Sequence, residues 1–187
     1  MSELLEIAER IVGWAGSGEQ VEAVVVHERE TEVRAYEGEV ESLTVAESSG
    51  VGIRVIRDGC QGFAYAGTLE PDALVEVMRE ARDNLGFATP DEHCSLAVPD
   101  GVAPVGMDLY REALLNLSID AKVQMALDLE RLTLSADRRI SGVESAEYSD
   151  SVSSSAVATT TGIRSTSRET GCFLSAYALA EQDGETQ

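Results

Sequence analysis

Apolar and polar residues alternate through most of the first 66 positions, and that period of two predicts a series of strands. Val21 to His27 contains Val24-Val25-Val26, an unbroken apolar run that predicts a strand buried on both faces. Thr31 to Tyr36 alternates cleanly and stops at Glu37-Gly38, a turn signal. Val40 to Glu47 is rich in β-branched residues and predicts a third strand, ending at Ser48-Ser49-Gly50. Gly50 to Gly67 then reads as two strands closed by Asp58-Gly59, a two-residue loop whose positions both need positive φ. Val51, Ile53 and Val55 share one face of its first strand, with Gly52, Arg54 and Ile56 on the other. Gly62, inside the second strand, predicts a bulge or a close backbone approach.

Elsewhere the period changes to that of a helix. Leu4, Ala8, Ile11 and Ala15 form one stripe, with Ser2 as its cap and Gly16-Ser17-Gly18 as its stop. Pro71 suits a first helical position, and Leu74, Met78, Ala81 and Leu85 follow on one side, with Gly86 as the C-terminal cap. The two helices are expected to cover one face of the sheet. Pro90, Pro99, Pro104, Gly101 and Gly106 mark Ala88 to Asp108 as a loop or linker. Beyond it Ser118 caps a helix with Ile119, Val123, Ala126, Leu127 and Leu129 on a broad apolar side, ending near Ser135 to Arg139.

From Ile140 the pattern is strand-like again. Thr159-Thr160-Thr161-Gly162 predicts a strand entering a turn, Cys172 to Glu181 alternates, and Asp183-Gly184 offers a last hairpin turn. No partner strand follows that turn, so the sequence reads as the N-terminal portion of something longer. The expected class is α+β (mixed α/β), with a mostly antiparallel sheet covered by helices. The expected divisions are 1–88, a linker at 89–108, and a helix with strands at 109–187.

Composition narrows the partners. Charged residues make up 26% of the 187 positions and the formal net charge is −20, which repels phosphates and anionic lipid, so neither nucleic acid nor a membrane is an expected partner. Three separated cysteines, Cys60, Cys94 and Cys172, give no disulfide framework, and the acidic N-terminus is not a signal peptide; a cytoplasmic protein is expected.

Candidate chemistry is thin. Asp91-Glu92-His93-Cys94 is the one cluster of ligand types, and neighbours in an extended loop point in different directions, so a solvated loop is expected rather than a metal. Gly50-Val51-Gly52 lacks the helix and the Lys-Ser/Thr pair of a phosphate loop. Ser149 to Ser155 has no nucleophile elbow and no nearby histidine, and reads as a strand with a wet face. Asn116-Leu117-Ser118 matches a glycosylation sequon, but Ser118 is better explained as a cap. Arg54 and Arg57 lie on opposite faces of their strand; one could meet a substrate carboxylate, and surface solvation is the expected role. Cys60, at the turn, has no basic neighbour to activate it.

The segment Gly50-Val51-Gly52-Ile53-Arg54-Val55, with Asp58-Gly59 and Gly62-Phe63-Ala64, resembles the N-terminal signature of the TldD/PmbA family of metallopeptidases. Val33-Arg34, Glu37-Gly38-Glu39-Val40-Glu41 and the Pro71 helix agree in order, as do Thr161-Gly162 and Ala180 to Gln187. The resemblance spans the chain but less than half of a family member. It implies a two-domain cytosolic protein that pairs with a homologous subunit as a homo- or heterodimer and cleaves small or unfolded peptides. It also implies zinc, held by an H-E-x-x-x-H motif and a distant cysteine in the C-terminal half of one subunit type, the other type lacking the motif. This sequence contains no H-E-x-x-x-H, so no catalytic residue and no metal ligand carries over, and no substrate-binding residue is assigned.

Overall fold

The computed structural model describes residues 2–103 and 105–186. Pro104, expected in the linker, and Gln187 lie outside the described residues, as does the side chain of Ser2, the expected first cap. The elements are α1 (Ser2–Val12), β1 (Gln20–Tyr36), β2 (Glu39–Arg57), β3 (Cys60–Ala66), α2 (Pro71–Asn84) and a 3₁₀ turn at Leu85–Phe87. They continue with α3 (Glu112–Leu115), α4 (Ile119–Ala136), β4 (Ile140–Thr159), β5 (Arg164–Gln182) and β6 (Glu185–Thr186). Strand order is β3-β2-β1-β4-β5-β6, a mixed α+β arrangement as expected.

The strands are longer than the alternation suggested. β1 runs straight through the break expected after His27, and β2 runs through Ser48-Ser49-Gly50. His27 Nδ1 bonds Ser49 Oγ at 2.9 Å, tying the two strands where the sequence suggested a turn. Gly50 continues the strand because its missing side chain leaves room for the carbonyl of Ala66, 3.2 Å from where a Cβ would stand. Glu37-Gly38, Asp58-Gly59 and Asp183-Gly184 are reversals with positive φ at both positions, and a further one joins β4 to β5 between Thr159 and Arg164. The last turn, expected to lack a partner strand, is followed by β6, which pairs with the end of β5.

Two compact units divide the chain, and each is built from separated segments. The first comprises Met1–Glu28, Ser48–Asp108 and Ser153–Arg168. Its core joins Leu4, Ala8, Ile11 and Val12 of α1 with Val21, Ala23 and Val25 of β1, Val51, Ile53 and Val55 of β2, and Leu74, Val77, Met78 and Ala81 of α2. Both helices therefore cover one sheet face, and the strands alternate. Val25 is buried whereas Val26 is 39% exposed, which corrects the expectation of a doubly buried strand. α1 ends at Val12, short of Ala15, and Gly86 falls inside the 3₁₀ turn rather than capping α2. Gly62 fulfils the close approach: an added Cβ would stand 1.9 Å from the carbonyl oxygen of Ala81 on α2. The loop after α2 is fastened to this unit, Asp91 N–H donating to the Gly59 carbonyl and Leu96 N–H to Gln20 Oε1.

The second unit comprises Arg29–Glu47, Leu109–Val152 and Glu169–Gln187. Its apolar cluster is smaller: Val33 and Ala35 of β1, Ala126 of α4, and Val143, Ala146 and Tyr148 of β4. Ser118 caps α4 as expected, its side chain accepting from Ala121 N–H at 3.2 Å. The apolar side expected for α4 holds at Val123, Ala126, Leu127 and Leu129, which pack in this cluster, and is corrected at one end. Ile119 is 39% exposed, while Lys122 and Glu130 are buried.

Candidate functional site

The signature hairpin presents its second face to solvent. Gly52 stands opposite Tyr65 and Arg54 opposite Phe63. With Val24 and Val26 of β1 these residues line a shallow trough on the open side of the first unit's sheet. Phe63 and Tyr65, 51% and 76% exposed, stack with ring centroids 6.3 Å apart. Gly52 makes that placement possible, since a Cβ there would lie 3.3 Å from the Phe63 ring. At the rim Arg54 pairs with Glu22 at 2.7 Å. The trough can hold an apolar group beside a paired guanidinium; Glu22, the one carboxylate in its lining, is held by Arg54.

Arg54 and Arg57 are thus not simply solvated, as expected from sequence. Arg57 lies 3.8 Å from Glu19, whose side chain is buried. Arg82 of α2 donates to both Glu19 oxygens and to the Trp14 carbonyl, and Gly16 N–H completes the set at 2.7 Å. The Arg82 hydrogen bonds, followed by the Gly16 amide, hold the Glu19 carboxyl below the ordinary glutamate range against the opposing cost of burial. This is a clamp joining the α1–β1 loop to α2, and sequence spacing offered no sign of it.

The ligand-type residues disperse. Asp91 Oδ1 accepts from His93 N–H at 2.8 Å, a local turn, and His93 faces Glu92 at 3.8 Å. Cys60 Sγ, half-buried, lies 3.8 Å from the Ala88 carbonyl. Among the described residues no three of His, Cys, Asp or Glu gather in a way that could hold an ion. The described residues therefore do not fit the zinc that the resemblance implies.

A buried polar cluster lies in the second unit. Lys122 Nζ meets Asp150 Oδ2 at 2.5 Å and donates to Thr31 Oγ1 at 3.2 Å, while Tyr148 OH donates to the same Asp150 oxygen at 2.7 Å. Cys172 of β5 lies near enough to Tyr148 to add to the shift of its phenol. Burial first, then the Asp150 carboxylate, pushes the Tyr148 phenol well above the usual tyrosine range. Periodicity reads Lys122 as a polar position on a helix; the strongest signal available was Asp150 within a β-strand, where aspartate is rare. Among the described residues no helix is long and apolar enough to cross a membrane.

The family model described as PmbA/TldA metallopeptidase domain 1 matches residues 21–85, and the model of the PmbA/TldA central domain matches residues 112–187. Metalloprotease PmbA of Escherichia coli O157:H7 is 24% identical over all of this chain and 40% of its own length. A candidate modulator of a DNA gyrase from Thermotoga maritima is 26% identical, with a TM-score of 0.75 over 97% of this chain and 40% of that one. TldE from Thermococcus kodakarensis shares the fold at 17% identity, with a TM-score of 0.74 over 100% of this chain and 40% of that one. The chain thus spans about two fifths of the length of the relatives it matches.

Proposed function

The chain belongs to the PmbA/TldA metallopeptidase family, and on that premise we propose that it supplies the first and central domains of a cytoplasmic zinc peptidase acting on small or unfolded polypeptides. The ordered match of two family domains across most of the chain carries this reading. The metal ligands and the groups that attack the peptide carbonyl come from polypeptide outside these 187 residues. The present residues build scaffold and cleft wall, and the enzyme pairs with a homologous subunit. Supporting that division, the apolar trough of the first unit can seat side chains, and its one carboxylate, Glu22, is already paired with Arg54.

The test is to assay peptide hydrolysis and bound zinc in the 187-residue chain and in a polypeptide of the relatives' full length. Chelator-sensitive cleavage confined to the longer polypeptide is the expected result. Stoichiometric zinc on the 187-residue chain, or chelator-sensitive cleavage by it, would overturn the reading. A second reading, a non-catalytic subunit that shapes its partner's cleft, stays open because the half of the family that carries H-E-x-x-x-H lies outside these 187 residues. Finding that motif in the full-length polypeptide removes it.

A further inference from the structure

Strand register is specified by turn geometry close to a turn, and farther along the strands by the hydrophobic pattern where one face is clearly buried. In the second unit that pattern is weak. β4 contributes Val143 and then Ala146, Tyr148 and Asp150 to the interior, so its buried phase slips by one between 143 and 146. Its serines at 141, 145, 149 and 151 do not favour either face strongly. β5 contributes less, because Glu169 and Gly171 to Tyr177 are nearly all exposed, including Phe173, Leu174 and Tyr177. A slip of two residues would leave these strands with almost the same apolar burial.

One cluster touches all the elements that such a slip would misalign. Thr31 lies on β1, Lys122 on α4, Tyr148 and Asp150 on β4, and Cys172 on β5 beside Gly171, whose absent side chain sits 3.2 Å from Ser151 Oγ. Lys122 is 6% exposed and Asp150 8%, so neither charge can turn to water if its partner moves. A displacement of either strand by a residue pair strands a buried ammonium against an unpaired carboxylate, a heavy penalty that apolar side chains would not impose. We infer that the Lys122–Asp150–Tyr148 cluster with Thr31 is a register lock: it selects a single alignment of β1, β4 and β5 under α4, and contributes little net stability of its own.

Alignment and stability can be separated by experiment. Replace the whole cluster with apolar residues of similar volume, Thr31→Val, Lys122→Met, Tyr148→Phe and Asp150→Leu. The variant is expected to melt at or above the parent temperature. Its backbone amides in 140–152 and 169–180 are expected to show more than one resonance each, reporting coexisting registers. A single set of resonances with the parent's cross-strand contacts would overturn the lock. An unfolded variant would also overturn it, because the cluster would then be supplying stability rather than alignment. Tyr148→Phe alone provides a second reading, since it keeps the ring and the ion pair but removes the hydroxyl that donates to Asp150 on the side of Cys172 and β5. Amide exchange in β5 should quicken about tenfold while β1 is unchanged; unchanged exchange in β5 counts against the lock. None of these outcomes depends on whether the family's peptidase chemistry is present.

Discussion

The two units solve the same problem with different chemistry. In the first, an aliphatic stripe from α1, β1, β2, β3 and α2 closes against Gly62, and shape decides the fit. In the second, the apolar cluster is small and the space beneath α4 is filled by a lysine, an aspartate and a tyrosine that satisfy one another. The same β1 and β4 strands run through both. Apolar packing tolerates small adjustments, whereas a buried ion pair does not, so the two units should fail differently when disturbed.

The largest effect is expected in the second unit. Lys122→Met alone leaves the Asp150 carboxylate buried without its cation and should cost about 3–5 kcal/mol in denaturant unfolding. A loss below about 1 kcal/mol would erase the contrast, since it would make the pair no more than a surface-type bridge. In the first unit Gly62→Ala places a methyl group 1.9 Å from the Ala81 carbonyl, and neither backbone can yield without moving α2. The expected cost is about 3 kcal/mol. Gly52→Ala, which meets only the edge of an exposed Phe63 ring at 3.3 Å, is the control and should cost much less.

Glu19 shows that the first unit is not wholly apolar. Its carboxyl is held down by Arg82, so the folded state binds its proton less readily than the unfolded chain does. Stability from this group is complete above the ordinary glutamate value of about 4.5 and is lost as pH falls through the lower folded value. Glu19→Gln should cost about 2 kcal/mol at neutral pH and flatten the acid limb of the stability curve. An acid limb as steep as the parent's would assign that limb to other carboxylates.

Legibility in the sequence follows the same division. Where one face is buried against helices, alternation and turn chemistry placed Val51, Ile53 and Val55 inward, located Asp58-Gly59, and marked Gly62 as a close approach. The Ser118 cap was equally readable, because a cap is a local hydrogen bond. The break expected inside β2 failed because serine and glycine are turn residues only when no neighbouring strand occupies their hydrogen bonds. The one expected inside β1 failed because the charged run Glu28-Arg29-Glu30 carries no turn residue. The buried Lys122 could not be seen, since its partners Thr31 and Asp150 are 91 and 28 positions away and nothing local distinguishes it from a solvated lysine. The Glu19–Arg82 clamp, spanning 63 positions, was hidden for the same reason.

The smallest expected effect compares two turns of one geometry. Glu37-Gly38 in the second unit and Asp58-Gly59 in the first both place a non-glycine residue in the left-handed region, at φ 53° and 55°. Aspartate is tolerated there because its short side chain can bond the local backbone; glutamate is one methylene too long to do so and keeps the strain of its Cβ. Asparagine suits both positions. Glu37→Asn should therefore stabilise the protein by about 0.5–1 kcal/mol, while Asp58→Asn should change it by only a few tenths. The exchange at 37 leaves the Gly38 N–H free to keep its bond to the buried Glu130 carboxylate at 2.9 Å, so the gain reports backbone strain alone. Equal responses at the two sites would show that Glu37 is relieved by its surroundings, and that the second unit's tighter hold on its polar groups extends to its turn.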